Sequence, residues 1–139
     1  MDGRTVRSGI RQDSINGVDL DVGHAAAGAT VSFRGAVRNH DQGRGVQRIE
    51  YVGHPTADGI IREIVEEART RPGVVSASAL HRVGILEVGD VALLAAASAA
   101  HRSEAFAACM WIVDEIKRRL PVWKNQHFSD GTTEWTGSP

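Results

Sequence analysis

The chain has 139 residues, of which 24% are charged and 42% apolar, with a formal net charge of −1. That length fits one domain, able to bury about two thirds of the surface its unfolded form exposes. The near balance of charge excludes a global field for nucleic acid or membrane, so any anion site must be a local cluster. The stretch from Met1 to Gly28 is interrupted by charges and has no apolar run fit for a signal peptide or a spanning helix, so a cytoplasmic protein is expected. A single cysteine, Cys109, excludes an internal disulfide, and no Cys/His spacing resembles a structural zinc site.

The first two dozen residues (about 1–24) and the last four (136–139) are expected to be mobile ends of a single domain spanning 1–139. From Ala29 to Val37 the run ATVSFRGAV alternates and is rich in β-formers, which predicts a strand. A polar loop with Arg38, Asn39, His40, Gly43, Arg44 and Gly45 follows, longer than a tight hairpin needs. Val46 to Val52 predicts a second strand. Pro55 suits a first helical turn, and Ile60, Ile61, Ile64, Val65 and Ala68 recur at helical spacing until Pro72-Gly73 ends the helix.

Val74 to Val83 and Val91 to Ser98 read as two more strands, joined by an excursion whose glycines, Gly84 and Gly89, bracket a turn. The Ala-rich second of these could be helical by propensity alone, but Gly89-Asp90 opens it as a strand. A second helix follows with Ser103 as its expected N-cap and Glu104 in the first turn. Its stripe of Phe106, Cys109, Val113, Ile116 and Leu120 faces a core, so Cys109 reads as a buried, inert thiol. An irregular tail with Trp123, Phe128 and Trp135 completes an α+β domain in which two main helices cover one face of a mostly antiparallel sheet.

The segment DEIKRRLPVWKNQHF, from Asp114 to Phe128, sets Lys117 and Lys124 on either side of Pro121. Proline ends the helix, leaving Lys117 on its last turn and Lys124 just beyond. Basic residues in a last turn also complement the helix dipole, which is the plainer reading of the pair. Held together beside apolar residues, two ammonium groups repel and lose hydration, which favours a neutral amine and suits an anion site. His101 and Arg102 precede the second helix, where unpartnered backbone N–H groups and a guanidinium can hold a phosphate or carboxylate. Arg38 and His40 add cations on the first loop.

The segments GATVSFRGAVRNHDQG, LHRVGILEVGD, SAAHRSEAFAACMWIVDEIKRRLPVWK and DGTTEW resemble, in order from about Gly28 to Trp135, those of the large, catalytic subunit of molybdopterin synthase. The resemblance implies a hammerhead-like α+β domain and a sulfurtransferase of molybdenum cofactor biosynthesis. Such an enzyme inserts two sulfurs into cyclic pyranopterin monophosphate, making the molybdopterin dithiolene. The sulfur arrives as a thiocarboxylate on the C-terminal Gly-Gly of a small ubiquitin-like partner, whereas this chain ends Gly137-Ser138-Pro139.

By the same resemblance Lys117 and Lys124 are catalytic, with Lys117 expected to be the essential one, and Arg38, His101 and Arg102 line the substrate pocket. A homodimer within a heterotetramer is implied. No cofactor and no resident metal is implied, since the metal enters the product afterwards. Gln126 stands where the family often has an acidic residue that would orient Lys124, Val113 replaces a frequent methionine, and the stretch from Tyr51 to Thr56 departs from the usual loop. Two other classes compete: a non-catalytic anion-binding or scaffolding domain that keeps the fold, and a nucleic-acid module, disfavoured because no strand interleaves aromatic and basic residues.

Overall fold

The computed structural model describes residues 6–137. In chain order the elements are β1 (Gly9–Arg11), β2 (Ala29–Ala36), β3 (His40–Asp41), β4 (Arg44–Gly53), α1 (Ala57–Arg69), β5 (Val74–Arg82), β6 (Gly84–Glu87), β7 (Val91–Ala99), α2 (Arg102–Arg119), β8 (Val122–Phe128) and β9 (Thr133–Gly137). They form two sheets rather than the single sheet expected. The first runs β1-β5-β7-β2, antiparallel except for the β1–β5 pair. In the second, β4 lies between β6 and β8, β3 pairs with the start of β4, and β9 pairs with β8.

Every residue of β7 is buried, because both faces of its sheet are covered. On one face Leu93, Ala95 and Ala97 meet the apolar stripes of α1 and α2, including Ile61, Ile64, Ile112 and Ile116. Alanines on the strand let the helices approach closely. On the other face Leu80, Leu94 and Ala96 are capped by Ile15, Leu20 and Val22. The N-terminal segment, expected to be a mobile end, is therefore a packed layer from β1 through Val22; residues 1–5 and 138–139 lie outside the described residues. Thr136 and Gly137, also expected to be mobile, are paired in β9 with Lys124 and Trp123.

The residues after α2 are likewise not an irregular tail. Val122 to Phe128 pairs with β4 along nearly its whole length and turns back through Gly131, at φ 89°, into β9. Lys, Asn, Gln and His are weak strand formers, so here tertiary pairing overrides local preference. The start of α2 differs by two residues from expectation: His101 is the N-cap, in extended conformation with no side-chain cap bond, and Ser103 lies inside the helix. The end of α2 is where Pro121 requires it, with Leu120 already extended at ψ 121°.

Candidate active site

Pro121 turns the chain from α2 directly into β8, so the last helical turn and the following strand present Lys117 and Lys124 to a common space. Both line a cavity of about 450 Å³, together with Phe33, Tyr51, His81 and Gly137. Lys124 stands directly opposite Tyr51 in the β4–β8 register. A second, adjoining cavity of about 220 Å³ shares Tyr51 and both lysines, and adds Arg38, His40, Asp41 and Gln126. Arg38, His40, Lys117 and Lys124, four of the six residues singled out from the sequence, thus meet in one compound pocket.

The charges around this pocket are sorted. Of the three basic residues ending α2, Arg118 pairs with Glu115, and Arg119 with Glu67 and Glu115. Lys117 is exposed and, among the described residues, neither it nor the half-buried Lys124 has an ion pair. Their charge is left for something else. Arg38 contacts Asp41 at 3.4 Å, and Gln126 Nε2 donates to the other Asp41 oxygen at 3.0 Å. A carboxylate is therefore present beside the lysines although Gln126 is not acidic, because β3 supplies it. Sequence reading passed over Asp41, which only the pairing of β3 with β4 brings to the site.

His81 was also passed over. It lies at the end of β5 on the face of Ala77 and Ala79, which points at the helices, and it is buried. Burial, reinforced by the charge of Lys117, lowers its pKa to about 4, so the ring is neutral at neutral pH. Tyr51 meets it edge-on, centroids 5.2 Å apart, and burial raises the tyrosine's own pKa. Cys109 is buried with its thiol pKa pushed up, as expected of an inert sulfur.

His101 and Arg102 are exposed at the opposite end of α2. At 1.5 Å per residue Arg102 lies about 22 Å from Lys117 along the helix, too far to share its pocket within one chain. Between them Phe106 and Met110 are 60% and 65% exposed, beside an apolar groove of about 360 Å³ bounded by Val31, Phe33 and Val113. Trp111 is half-buried against the core with Arg71 over its ring.

The family model described as MoaE protein matches residues 10–119. The chain belongs to the MoaE family. Two relatives, each a molybdopterin synthase catalytic subunit, illustrate the similarity. One from Pyrococcus abyssi is 42% identical over 111 residues, covering 79% of this chain and 75% of its own. One from Thermoplasma volcanium is 35% identical over 129 residues, covering 91% and 94%. Among solved structures, molybdopterin synthase from Staphylococcus aureus superposes with a TM-score of 0.83 at 28% identity, covering 96% of this chain and 99% of that one. The MoaE match ends at Arg119, so Lys117 falls inside it and Lys124 beyond it.

Proposed function

We propose that this chain is the catalytic subunit of a molybdopterin synthase, transferring sulfur from the C-terminal thiocarboxylate of a small ubiquitin-like partner to cyclic pyranopterin monophosphate. The observation that carries the reading is the convergence of Lys117 and Lys124, from a helix end and a separate strand, on one cavity without carboxylate partners of their own. Two unpaired ammonium groups with Arg38 beside them suit a phosphorylated substrate and an incoming carboxyl-derived tail. The same cations stabilise charge that develops on oxygen as the cyclic phosphate opens.

In this reading the thiocarboxylate sulfur attacks a side-chain carbon of the substrate, a C–O bond of the cyclic phosphate breaks, and the carrier is left joined through sulfur as a thioester whose acyl–sulfur bond is then cleaved. The carrier is released as a carboxylate by water, or passes through an amide-like adduct on a lysine. Lys117 is the better placed to be essential, since its helix is locked into the core by Ile112 and Ile116. The chemistry draws on no thiol of this chain, in keeping with Cys109 being buried and poorly ionised. No helix among the described residues is long and apolar enough to cross a membrane, and the reading places the enzyme in the cytoplasm with its carrier.

His101 and Arg102 enter this reading through a second copy. The interval from Arg102 to Lys117 has its midpoint beside Met110, and Phe106 and Met110 are the exposed large apolar residues of α2. Two α2 helices packed antiparallel about that point would bury both side chains and carry His101 and Arg102 of each copy to the Lys117 of the other. A homodimer with a small partner at each far end then forms the heterotetramer.

The test combines the purified chain, a thiocarboxylated small subunit and cyclic pyranopterin monophosphate, with dithiolene formation as readout. Lys117→Ala should lose turnover by orders of magnitude while binding substrate nearly as well; a mere anion binder would lose affinity in a graded way. Wild-type rates in both Lys117→Ala and Lys124→Ala would refute the assignment.

A further inference from the structure

Among the described residues, His81 is the buried titratable side chain that lines the lysine cavity. Its Nδ1 lies 2.8 Å from the carbonyl oxygen of Arg82. A carbonyl only accepts, so Nδ1 carries the proton and the neutral ring keeps its lone pair at Nε2. No group among the described residues hydrogen-bonds Nε2, yet it is not sealed in, since His81 lines the cavity wall.

The groups facing the ring come from every neighbouring element. Tyr51 of β4 meets it edge-on. Leu93 of β7 is its register partner. The end of α2 presents Ile116, Lys117 and Leu120 to the same cavity, and β8 presents Lys124. Among the described residues no carboxylate lines that cavity. A histidine so placed cannot serve as a cation without a second positive charge against Lys117, so what it offers the cavity is an acceptor at Nε2.

We infer that His81 is a positioning residue for Lys117: when the exposed ammonium swings into the cavity that both residues line, the free Nε2 accepts one of its N–H groups and leaves the others aimed at the substrate. Lysine is a point charge on a flexible stem with several rotatable bonds. An acceptor fixed by Arg82 on one side and Tyr51 on another turns that mobile charge into a directed one. The inference rests on the catalytic reading of Lys117, but the pairing can be measured without any activity.

Two measurements test it. In the first, the ring nitrogens of His81 are followed by ¹⁵N NMR across acid pH in wild type and Lys117→Met. The expected result is the Nδ1–H tautomer, with a protonation midpoint near the value of about 4 that burial and Lys117 impose and a midpoint that rises when the ammonium is removed. An unchanged midpoint or the opposite tautomer would overturn the pairing.

In the second, His81→Phe keeps the ring against Tyr51 but removes the acceptor, while His81→Gln restores one at the same reach. With both variants folded by circular dichroism, His81→Phe should lose about tenfold or more in kcat with KM little changed, and His81→Gln should recover most of it. Equal loss in both, or wild-type kcat in His81→Phe, would overturn it. If Lys117→Ala itself keeps full turnover, the catalytic reading fails, and the NMR titration still decides whether the pair exists.

Discussion

Gln126 of β8 donates its side-chain amide to Asp41 of β3 at 3.0 Å, across 85 positions of sequence. The other oxygen of Asp41 meets Arg38 at 3.4 Å, so one carboxylate joins the first loop to the strand that carries Lys124. Replacing Gln126 by Glu would remove the donor and set a second carboxylate against the first, in a position that is 3% exposed. We expect a loss of about 1–3 kcal/mol in urea unfolding near neutral pH. Like-charge contact raises a carboxyl's folded pKa above its unfolded value. The variant's deficit should therefore be smallest below the carboxylate range and grow as pH rises through it. A deficit that shrinks with rising pH would contradict this geometry.

Cys109 supplies a second expectation. Its sulfur lies 3.7 Å from the Ala95 carbonyl oxygen, under α2 and out of water. A thiol reagent should titrate it only after denaturation, at a rate set by unfolding. Cys109→Ala should keep turnover near wild type at a cost of about 1 kcal/mol of stability. Loss of activity without loss of stability would mean that sulfur passes through this chain after all.

Gly73 is where a stability effect can be predicted from backbone geometry. It has φ 81°, and an added Cβ would run into the Glu104 carboxylate at the start of α2. Its carbonyl also holds the Ala100 amide at 3.1 Å, just before that helix. Gly73→Ala thus combines a left-handed backbone with a displaced acidic side chain, and should cost about 1–3 kcal/mol by thermal or urea unfolding. A neutral result would contradict both the left-handed backbone at this position and the contact with Glu104.

How far the sequence foretells the molecule depends on whether a feature is local. Pro121 ends α2 wherever the rest of the chain goes, so Lys117 on a last turn and Lys124 past it could be read directly. Gly89-Asp90 similarly starts β7 against its alanine content. In contrast, WKNQHF carries no strand signature of its own and becomes β8 only by pairing with β4. Ile15, Leu20 and Val22 are too sparse among charges to announce a core, and are buried because they pack on Leu80, Val91, Leu94 and Ala96, which come much later in the chain.

The site divides the same way. The lysines were visible because they are close in sequence. Asp41 and His81 reach the pocket from strands whose partners only the fold supplies, and the length of α2, an 18-residue helix, is itself what separates His101 and Arg102 from the lysines of the same chain.

That separation makes the sharpest prediction. If each pocket is completed by the second copy, Lys117→Ala and Arg102→Ala chains are each crippled as homodimers. Mixed and allowed to exchange, they form hybrid dimers holding one site with both residues and one with neither. Random exchange gives half hybrids, each with half its sites intact, so activity should recover to about a quarter of wild type. Lys117→Ala mixed with Lys124→Ala should show no such rescue, because both lysines line one cavity of one chain. The companion measurement is mass by sedimentation or light scattering. Met110→Lys, at a position 65% exposed and midway along α2, should shift the protein toward monomer and lower turnover without lowering the stability of the isolated fold. Rescue between the two lysine variants, or full turnover in a monomeric Met110→Lys, would show that the pocket is complete in a single chain and that His101 and Arg102 serve elsewhere.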